Sequence, residues 1–460
     1  MKFKEIVSGY EQKMLEDIRA LVAIRSVQGQ AKEGMPFGEG PARALQAALN
    51  IGKRMGFQTE NLENYAGYIE MGAGKDLIGI LCHMDIVPEG ENWAHDPYAV
   101  EILNGKIYGR GVCDNKGPAI MILYAMKILR DSGVPLNKRV RFVLGANEES
   151  GFGCMEHYKK VEEPFTMGFS PDAEFPLIFG EKGTFRGVLR APLGGNDRLR
   201  IVELSGGQAT NAVCSRCDCT LQGDADSLDN VKNAFEVYLS NQGRKGNATI
   251  SNNILVLVLW GINAHASLPH LGVNAISYLV DFLRTVIKDS PFVNGYAATI
   301  GLEYDGTLCT AACNDEYGEL TLNIGIISTQ KSTAIATMDI RYPITVDFAQ
   351  YIPKMQAAFE SAGLALKACS YGKSLLVRPD SDLVQELYSA YTEVTGDRVN
   401  RPITIGGATY AKAFENVVAF GPAFPGEQNG VHMANEYMTL ESILVGTEIY
   451  INAIQRLLAL

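Results

Sequence analysis

The chain has 460 residues, roughly three times a ~150-residue domain, which predicts two or three folding units and excludes a small stapled or metal-nucleated module. With 47% hydrophobic and 20% charged residues and no run near the ~18 unbroken apolar residues of a membrane span, the composition excludes an integral membrane protein. Asp and Glu outnumber Lys and Arg by 52 to 41, a formal net charge of −11, and no basic run stands ready to meet a phosphate backbone, which excludes nucleic acid as a partner.

The first residues, Met1 to Glu5, run into a polar helical pattern without the apolar segment of a secretory signal, which predicts a cytoplasmic protein. Its nine cysteines are then expected to be mostly buried small hydrophobes, as Cys82 and Cys113 in their apolar stretches suggest. Leu15, Ile18, Leu21 and Val22 at helical spacing predict a helix over 11–24, and a second covers 41–56. The apolar run from Leu77 to Cys82 predicts a buried strand, followed by a helix over 116–129 and a strand over 139–144. Buried strands separated by a helix point to the α/β class, with a mainly parallel central sheet flanked by helices and ligands at the carboxyl ends of strands. From about Thr184 the texture changes. Strands at 185–189, 254–260, 319–327 and 333–341, with helices near 226–241, 273–287 and 347–362, read as an inserted α+β domain. A helix over 380–395, a buried strand at 417–420 and a closing helix over 442–458 return to the first domain. The expected division is 1–183 and 377–460 for the first domain and 184–376 for the insert.

The strand from Leu77 ends in His83-Met84-Asp85, and side chains two apart on an extended chain share a face. Alone, the pair reads equally as a histidine held by a local carboxylate. Asp114 lies in the glycine-bracketed run Gly109-Arg110-Gly111 to Asp114-Asn115-Lys116-Gly117 just before a helix; it suits a helix cap, or a carboxylate offering two oxygens to two cations. The next strand runs out into Glu148-Glu149-Ser150-Gly151. Neighbours on extended backbone point to opposite sides, so one glutamate can bind a metal while the other faces a water. Asp172 follows the strand 165–169, and His432 lies in the late loop Asn429 to Glu436. Histidines and carboxylates without a thiolate suit zinc, manganese or cobalt. Together they make the inventory of a two-metal hydrolase.

These segments resemble the metal-site series of the aminoacylase, carboxypeptidase and carnosinase metallopeptidases, over nearly the whole chain. The long insertion, Gly406-Gly407-Ala408-Thr409-Tyr410-Ala411 and Phe420-Gly421-Pro422-Ala423-Phe424-Pro425-Gly426 are most similar to the bacterial peptidase V dipeptidases. The resemblance implies a catalytic domain and a lid, with two divalent metal ions, zinc first and manganese or cobalt as alternatives. It makes Asp114 the bridge, His83 and Asp172 the ligands of one metal, Glu149 and His432 those of the other, Glu148 the general base, and Asp85 the group orienting His83. In the lid it implies that His265 in Ala264-His265-Ala266-Ser267 polarises the scissile carbonyl, that Asn211 in Gly206-Gly207-Gln208-Ala209-Thr210-Asn211 assists it, and that Arg341 clamps a substrate carboxylate.

The expected activity is hydrolysis of dipeptides; the alternative is an N-acyl amino-acid deacylase using the same machinery. A non-catalytic binding protein would lack the base or a ligand, and all seven core positions are filled. The resemblance to the peptidase V type, whose longer lid takes the place of a partner's, implies a monomer, with a homodimer as alternative. The resemblance is broken at Cys214-Ser215-Arg216-Cys217-Asp218-Cys219, which offers a structural zinc only if a second ligand pair such as Cys309 and Cys313 comes near; buried thiols are the simpler expectation. His95 is expected to be a loop residue packing near the site.

Overall fold

The structure, a computed structural model, describes residues 3–196 and 198–460. The chain divides into two compact units, one running to Glu181 and resuming over Leu375–Leu460, the other formed by Lys182–Ser374.

The first unit is built on a nine-stranded sheet. Its strands are β1 (Gln58–Leu62), β2 (Ala66–Met71), β3 (Leu77–His83), β4 (Arg139–Gly145), β5 (Met167–Ser170), β6 (Ile178–Glu181), β7 (Leu375–Leu376), β8 (Ile403–Ile405) and β9 (Val417–Ala419). They lie in the order β1-β2-β4-β3-β5-β9-β6-β7, with β8 on β6. The centre, β4-β3-β5-β9, is parallel, and β1, β2 and β7 extend it antiparallel. Every residue of β3 is buried, as its unbroken apolar run requires of a strand covered on both faces. The helix Lys116–Asp131 is buried from Lys116 to Met126 and packs against the closing helix Leu440–Ala459, so it too is apolar nearly all round. At the far side, β7 pairs with β6 through Leu375 opposite Glu181 and Leu376 opposite Gly180. The chain thus leaves the first unit and returns to it on neighbouring strands.

The inserted unit carries one eight-stranded antiparallel sheet. The long pair Thr321–Gln330 and Thr333–Tyr342 lies near its middle, and Lys245–Ser251 and Ala365–Gly372 form its edges. Helices Ala225–Gln242, Ala275–Val286, Pro291–Thr299 and Ile352–Ser361 contribute to its core. The expected architecture, an α/β unit with a parallel sheet centre interrupted by an α+β unit, is the one observed. The helix expected over 347–362 is a short 3₁₀ turn at Phe348–Gln350 followed by Ile352–Ser361, with Pro353 in its first turn, where a missing N–H costs nothing. Among the described residues, no helix is long and apolar enough to cross a membrane.

Candidate metal centre

Three neighbouring strand ends deliver the first ligand candidates. β3 ends at His83, which is in register with Gly145 at the end of β4. The chain beyond β4 carries Glu148 and Glu149, and the chain beyond β5 carries Asp172. Asp114 arrives from the loop before helix Lys116–Asp131, across a cis Asp114–Asn115 peptide, and His432 from a loop in which it has φ 63°. That loop region is anchored by the strand Tyr437–Thr439, which pairs with Lys106–Tyr108 just before the Asp114 loop.

These side chains converge. Asp114 Oδ1 lies 2.8 Å from His83 Nε2, and its other oxygen lies 2.9 Å from His432 Nε2. His432 Nε2 is also 3.1 Å from Glu149 Oε2, and His83 Nε2 is 3.6 Å from Asp172 Oδ1. Two groups, His83 with Asp114 and Glu149 and His83 with Glu148 and Asp172, each bring ligand atoms within 4.8 Å of one another. His83 Nδ1 donates to the main-chain carbonyl of Asp85 at 2.9 Å. The Asp85 carboxylate is 3.6 Å from the same nitrogen and accepts the backbone N–H groups of Glu148 at 3.0 Å and of Glu149 at 3.1 Å. Asp85 therefore ties the ligand strand β3 to the glutamate pair, orienting His83 through its backbone rather than chiefly through its carboxylate.

The loop around Asp114 is held by groups that motif reasoning left without a role. Glu436 is fully buried, and its carboxylate accepts the backbone N–H of Gly111, Cys113 and Asp114 and a 2.7 Å bond from the equally buried Arg110. The Asn115 amide donates to Pro171 O and to Asp172 Oδ1 at 2.6 and 3.0 Å, linking the Asp114 loop to the end of β5. Two glycines permit these approaches. A Cβ at Gly117 would lie 2.0 Å from Val112 O, and one at Gly145 would lie 2.0 Å from Tyr410 Oη, whose ring meets His83 edge-on at 6.2 Å. The signal for Glu436 was available only as a carboxylate in a glycine- and asparagine-rich loop, which by itself reads as solvated.

Charge explains what the cluster can hold. Burial, and then the neighbouring Asp172, push Glu148 well above the usual carboxylate range. Glu149 is pushed up to about 7 by burial and by Asp114, and burial takes Asp172 to about 6. Burial works against ionisation of Asp114 too, but His432 and His83 outweigh it and hold that carboxyl below its ordinary value. Both imidazoles are raised by the carboxylates around them against the opposing effect of burial. With its Nδ1 hydrogen committed to Asp85, neutral His83 turns a lone pair toward Asp114 across 2.8 Å. Two acceptors that close need a proton or a cation between them. Glu149 Oε1 is buried without a hydrogen-bond partner, a further coordination position left open. Imidazole and carboxylate donors of this kind fit a divalent cation.

Within the inserted unit, the expected substrate residues come from segments that pair. Ala212 and His265 form an isolated bridge, flanked by Val213 N–H to Ala264 O at 2.8 Å and Ala266 N–H to Asn211 O at 2.9 Å. His265 Nδ1 lies 2.6 Å from the Ser267 hydroxyl and 3.2 Å from the Ser267 backbone nitrogen. Arg341 stands opposite Thr321 in the sheet, and the Thr321 hydroxyl donates to Ala266 O; the guanidinium is buried and forks onto Asp339. Asn323, two residues on from Thr321, donates to Ala212 O at 2.9 Å. Cys217 and Cys219 lie on the strand Arg216–Gly223 facing the apolar core, with Cys214 beside it, as free thiols. His95 stacks on Tyr108 at 4.1 Å and bonds Glu101.

A carboxylate between two imidazoles, with further carboxylates at the ends of parallel strands, suits a metal-dependent hydrolase centre on an α/β scaffold. The profile of Peptidase family M20/M25/M40 matches residues 79–456, and the chain belongs to this family; it is a hydrolase of peptide bonds. It is 37% identical to "Putative dipeptidase YtjP" of Bacillus subtilis (strain 168) over 97% of both chains, and 35% identical to "Putative dipeptidase" of Staphylococcus epidermidis (strain ATCC 12228 / FDA PCI 1200) over 99% of both. The fold is similar to that of human carnosine dipeptidase 1, with a TM-score of 0.64 at 15% identity, covering 100% of this chain and 98% of that one.

Proposed function

We propose that the protein hydrolyses dipeptides at a centre of two divalent cations, zinc first among them, with Glu148 as general base. The observation that carries this reading is the Asp114 carboxylate, whose two oxygens face different histidines at 2.8 and 2.9 Å. A carboxylate so placed suits a bridge, with His83 and Asp172 holding one cation and Glu149 and His432 the other. When bound, such cations supply Lewis acidity to a carbonyl and lower the pKa of water between them. Glu148 stands among the ligands, fixed at its backbone N–H by Asp85, and its raised affinity for a proton suits a base that must take one from water and pass it to the leaving amine. The four negative charges of ionised Asp114, Glu148, Glu149 and Asp172 would balance those of two divalent cations.

For the inserted unit, the same reading assigns His265 and Asn211 to the substrate carbonyl and Arg341 to the substrate carboxylate. Its support is the pairing of the first two segments with each other. Asp339 fixes the orientation of the planar Arg341 guanidinium, a group whose geometry matches a carboxylate.

The test is hydrolysis of a panel of dipeptides, tripeptides and N-acetyl amino acids by chelated protein restored with zinc, manganese or cobalt. Metal-restored cleavage confined to dipeptides is the expected result. Preference for acyl amino acids would move the substrate to the deacylase class, and silence with every metal would overturn the reading.

A further inference from the structure

Glu181, the last residue of β6, is fully buried and belongs to neither ligand group. β8 runs parallel to β6 with Ile405 in register with Glu181, so the chain beyond β8 starts beside the end of β6. Both oxygens of the Glu181 carboxylate meet one residue of that chain: Oε2 accepts the Thr409 N–H at 3.0 Å and Oε1 the Thr409 hydroxyl at 2.8 Å. The hydroxyl oxygen also accepts the Ala411 N–H at 3.1 Å, capping the 3₁₀ turn Tyr410–Ala413. Burial pushes Glu181 up to about 7, against the opposing charge of Lys412. An apolar side chain would fill this place without the cost of burying a carboxylate. What the carboxylate adds is a fixed direction for Thr409 and for the residue that follows it.

The residue that follows is Tyr410, and it reaches two parts of the candidate metal centre. Its ring meets His83 edge-on at 6.2 Å and Phe152 at 5.3 Å. Its hydroxyl lies 2.9 Å from Cys154 Sγ, and the Cys154 thiol donates to the main-chain carbonyl of Asn147 at 3.4 Å. Because a carbonyl only accepts, the sulfur is left to accept the tyrosine hydroxyl. Asn147 immediately precedes Glu148, and Tyr410, Cys154 and Asn147 are all buried. An unbroken path of contacts therefore leads from Glu181 through Thr409 and Tyr410 to the backbone that presents Glu148 and Glu149, with a branch onto the His83 ring. In a close-packed interior a displacement at one end of such a path is passed to the other.

We propose that Glu181 is a positioning residue for peptide-bond hydrolysis: through Thr409 and Tyr410 it sets the place of the His83 imidazole and of the backbone carrying Glu148 and Glu149. The assignment rests on the two-cation reading above and deepens it. In this role Glu181 touches neither substrate nor cation. The role needs two hydrogen bonds rather than a charge, because in Glu181→Gln the amide oxygen accepts the Thr409 N–H while the amide NH₂ donates to the Thr409 hydroxyl oxygen.

The test compares the wild type with Thr409→Val, Glu181→Leu and Glu181→Gln by three measurements: the visible d–d absorption of the cobalt-loaded protein, zinc affinity by competition with a chromophoric chelator, and steady-state hydrolysis of alanyl-alanine. Thr409→Val keeps the shape of the side chain and removes the hydroxyl. It should shift the d–d bands, weaken zinc about tenfold and lower kcat about tenfold with KM within about twofold, since small misplacements of reacting groups cost up to about 100-fold. Glu181→Leu should do at least as much, and Glu181→Gln should stay within about twofold of the wild type in affinity and kcat. If Glu181→Leu fails to fold, Thr409→Val and Glu181→Gln carry the comparison. A Thr409→Val protein with the cobalt spectrum and zinc affinity of the wild type, whatever its melting temperature, would overturn the positioning role and leave a stabilising contact; so would a Glu181→Gln protein as impaired as Thr409→Val. The spectrum and the affinity need no substrate. Shifted bands in a protein whose wild type turns over no dipeptide would sink the dipeptidase reading and keep the positioning role; dipeptide turnover with unmoved bands and affinity would do the reverse.

Discussion

The carboxylate of Glu436 accepts a hydrogen bond from the backbone N–H of Asp114 at 3.2 Å, across 322 positions of sequence. The same carboxylate takes two more N–H groups of that loop and the Arg110 guanidinium, so one buried anion sets the path of the backbone that presents Asp114. Glu436→Ala leaves Arg110 charged and buried without its partner and is expected to destabilise the protein by about 3–5 kcal/mol. Urea unfolding in the presence of a chelator measures this apart from any loss of metal; a change under about 1 kcal/mol would mean that the loop holds itself.

Asp85 acts on both sides of the centre, through its carbonyl on His83 and through its carboxylate on the Glu148 and Glu149 amides. Asp85→Ala should weaken metal affinity about 10- to 100-fold, the usual effect of removing a group that orients ligands. Competition with a chromophoric chelator reads this directly, and unchanged affinity would reduce Asp85 to a structural cap.

Glu148→Gln keeps the shape of the side chain and its backbone bond to Asp85 while removing the base. Turnover of a dipeptide should fall about 10²- to 10⁴-fold, with metal content and KM little changed. Retention of most activity would give the proton transfer to another group.

Metal removal should reverse the sign of the pH dependence that ionised carboxylates ordinarily produce. Glu149 and Asp172, at about 7 and about 6 in the cation-free fold, lie above their unfolded values. The stability they contribute is fully present below about pH 4 and is lost as pH rises through 6 to 7, on the order of 3 kcal/mol for Glu149 alone. Chelated protein should therefore unfold at progressively lower urea between pH 5 and 7, and zinc should restore it most at the upper end. Zinc binding near pH 6 should also release protons, seen as a dependence of the binding enthalpy on the buffer. A chelated protein that gains stability over that range would contradict the arrangement of charges.

The candidate metal centre was legible because each proposed ligand sits where local pattern speaks: at the end of an apolar strand, as His83 does, or in a glycine-bracketed loop, as Asp114 does. Its supports were not. Glu436 and Thr409 act through contacts hundreds of residues away in sequence, and a polar residue in a loop carries no mark of such a partner. The strand Arg216–Gly223 escaped for another reason. Cys217, Cys219 and Leu221 alternate with Arg216, Asp218 and Thr220, a period of two that is plain once thiols are counted as small hydrophobes rather than as metal ligands. The edge strand Ala365–Gly372 has almost no buried face and so offered no periodicity to read. The antiparallel strands β1 and β2 likewise lie where sheet pairing, not an apolar run, decides the conformation.

Glu181 and Leu375, the residues on either side of the inserted unit, are opposite one another on antiparallel strands, a separation of about 5 Å between Cα atoms. To the host sheet, everything from Lys182 to Ser374 is therefore equivalent to a hairpin turn. Replacing it by a tight two-residue loop would join β6 to β7 without displacing either strand, and loop closure depends only weakly on length. The metal-bearing half is thus a candidate for excision as a minimal, self-standing chain of its own.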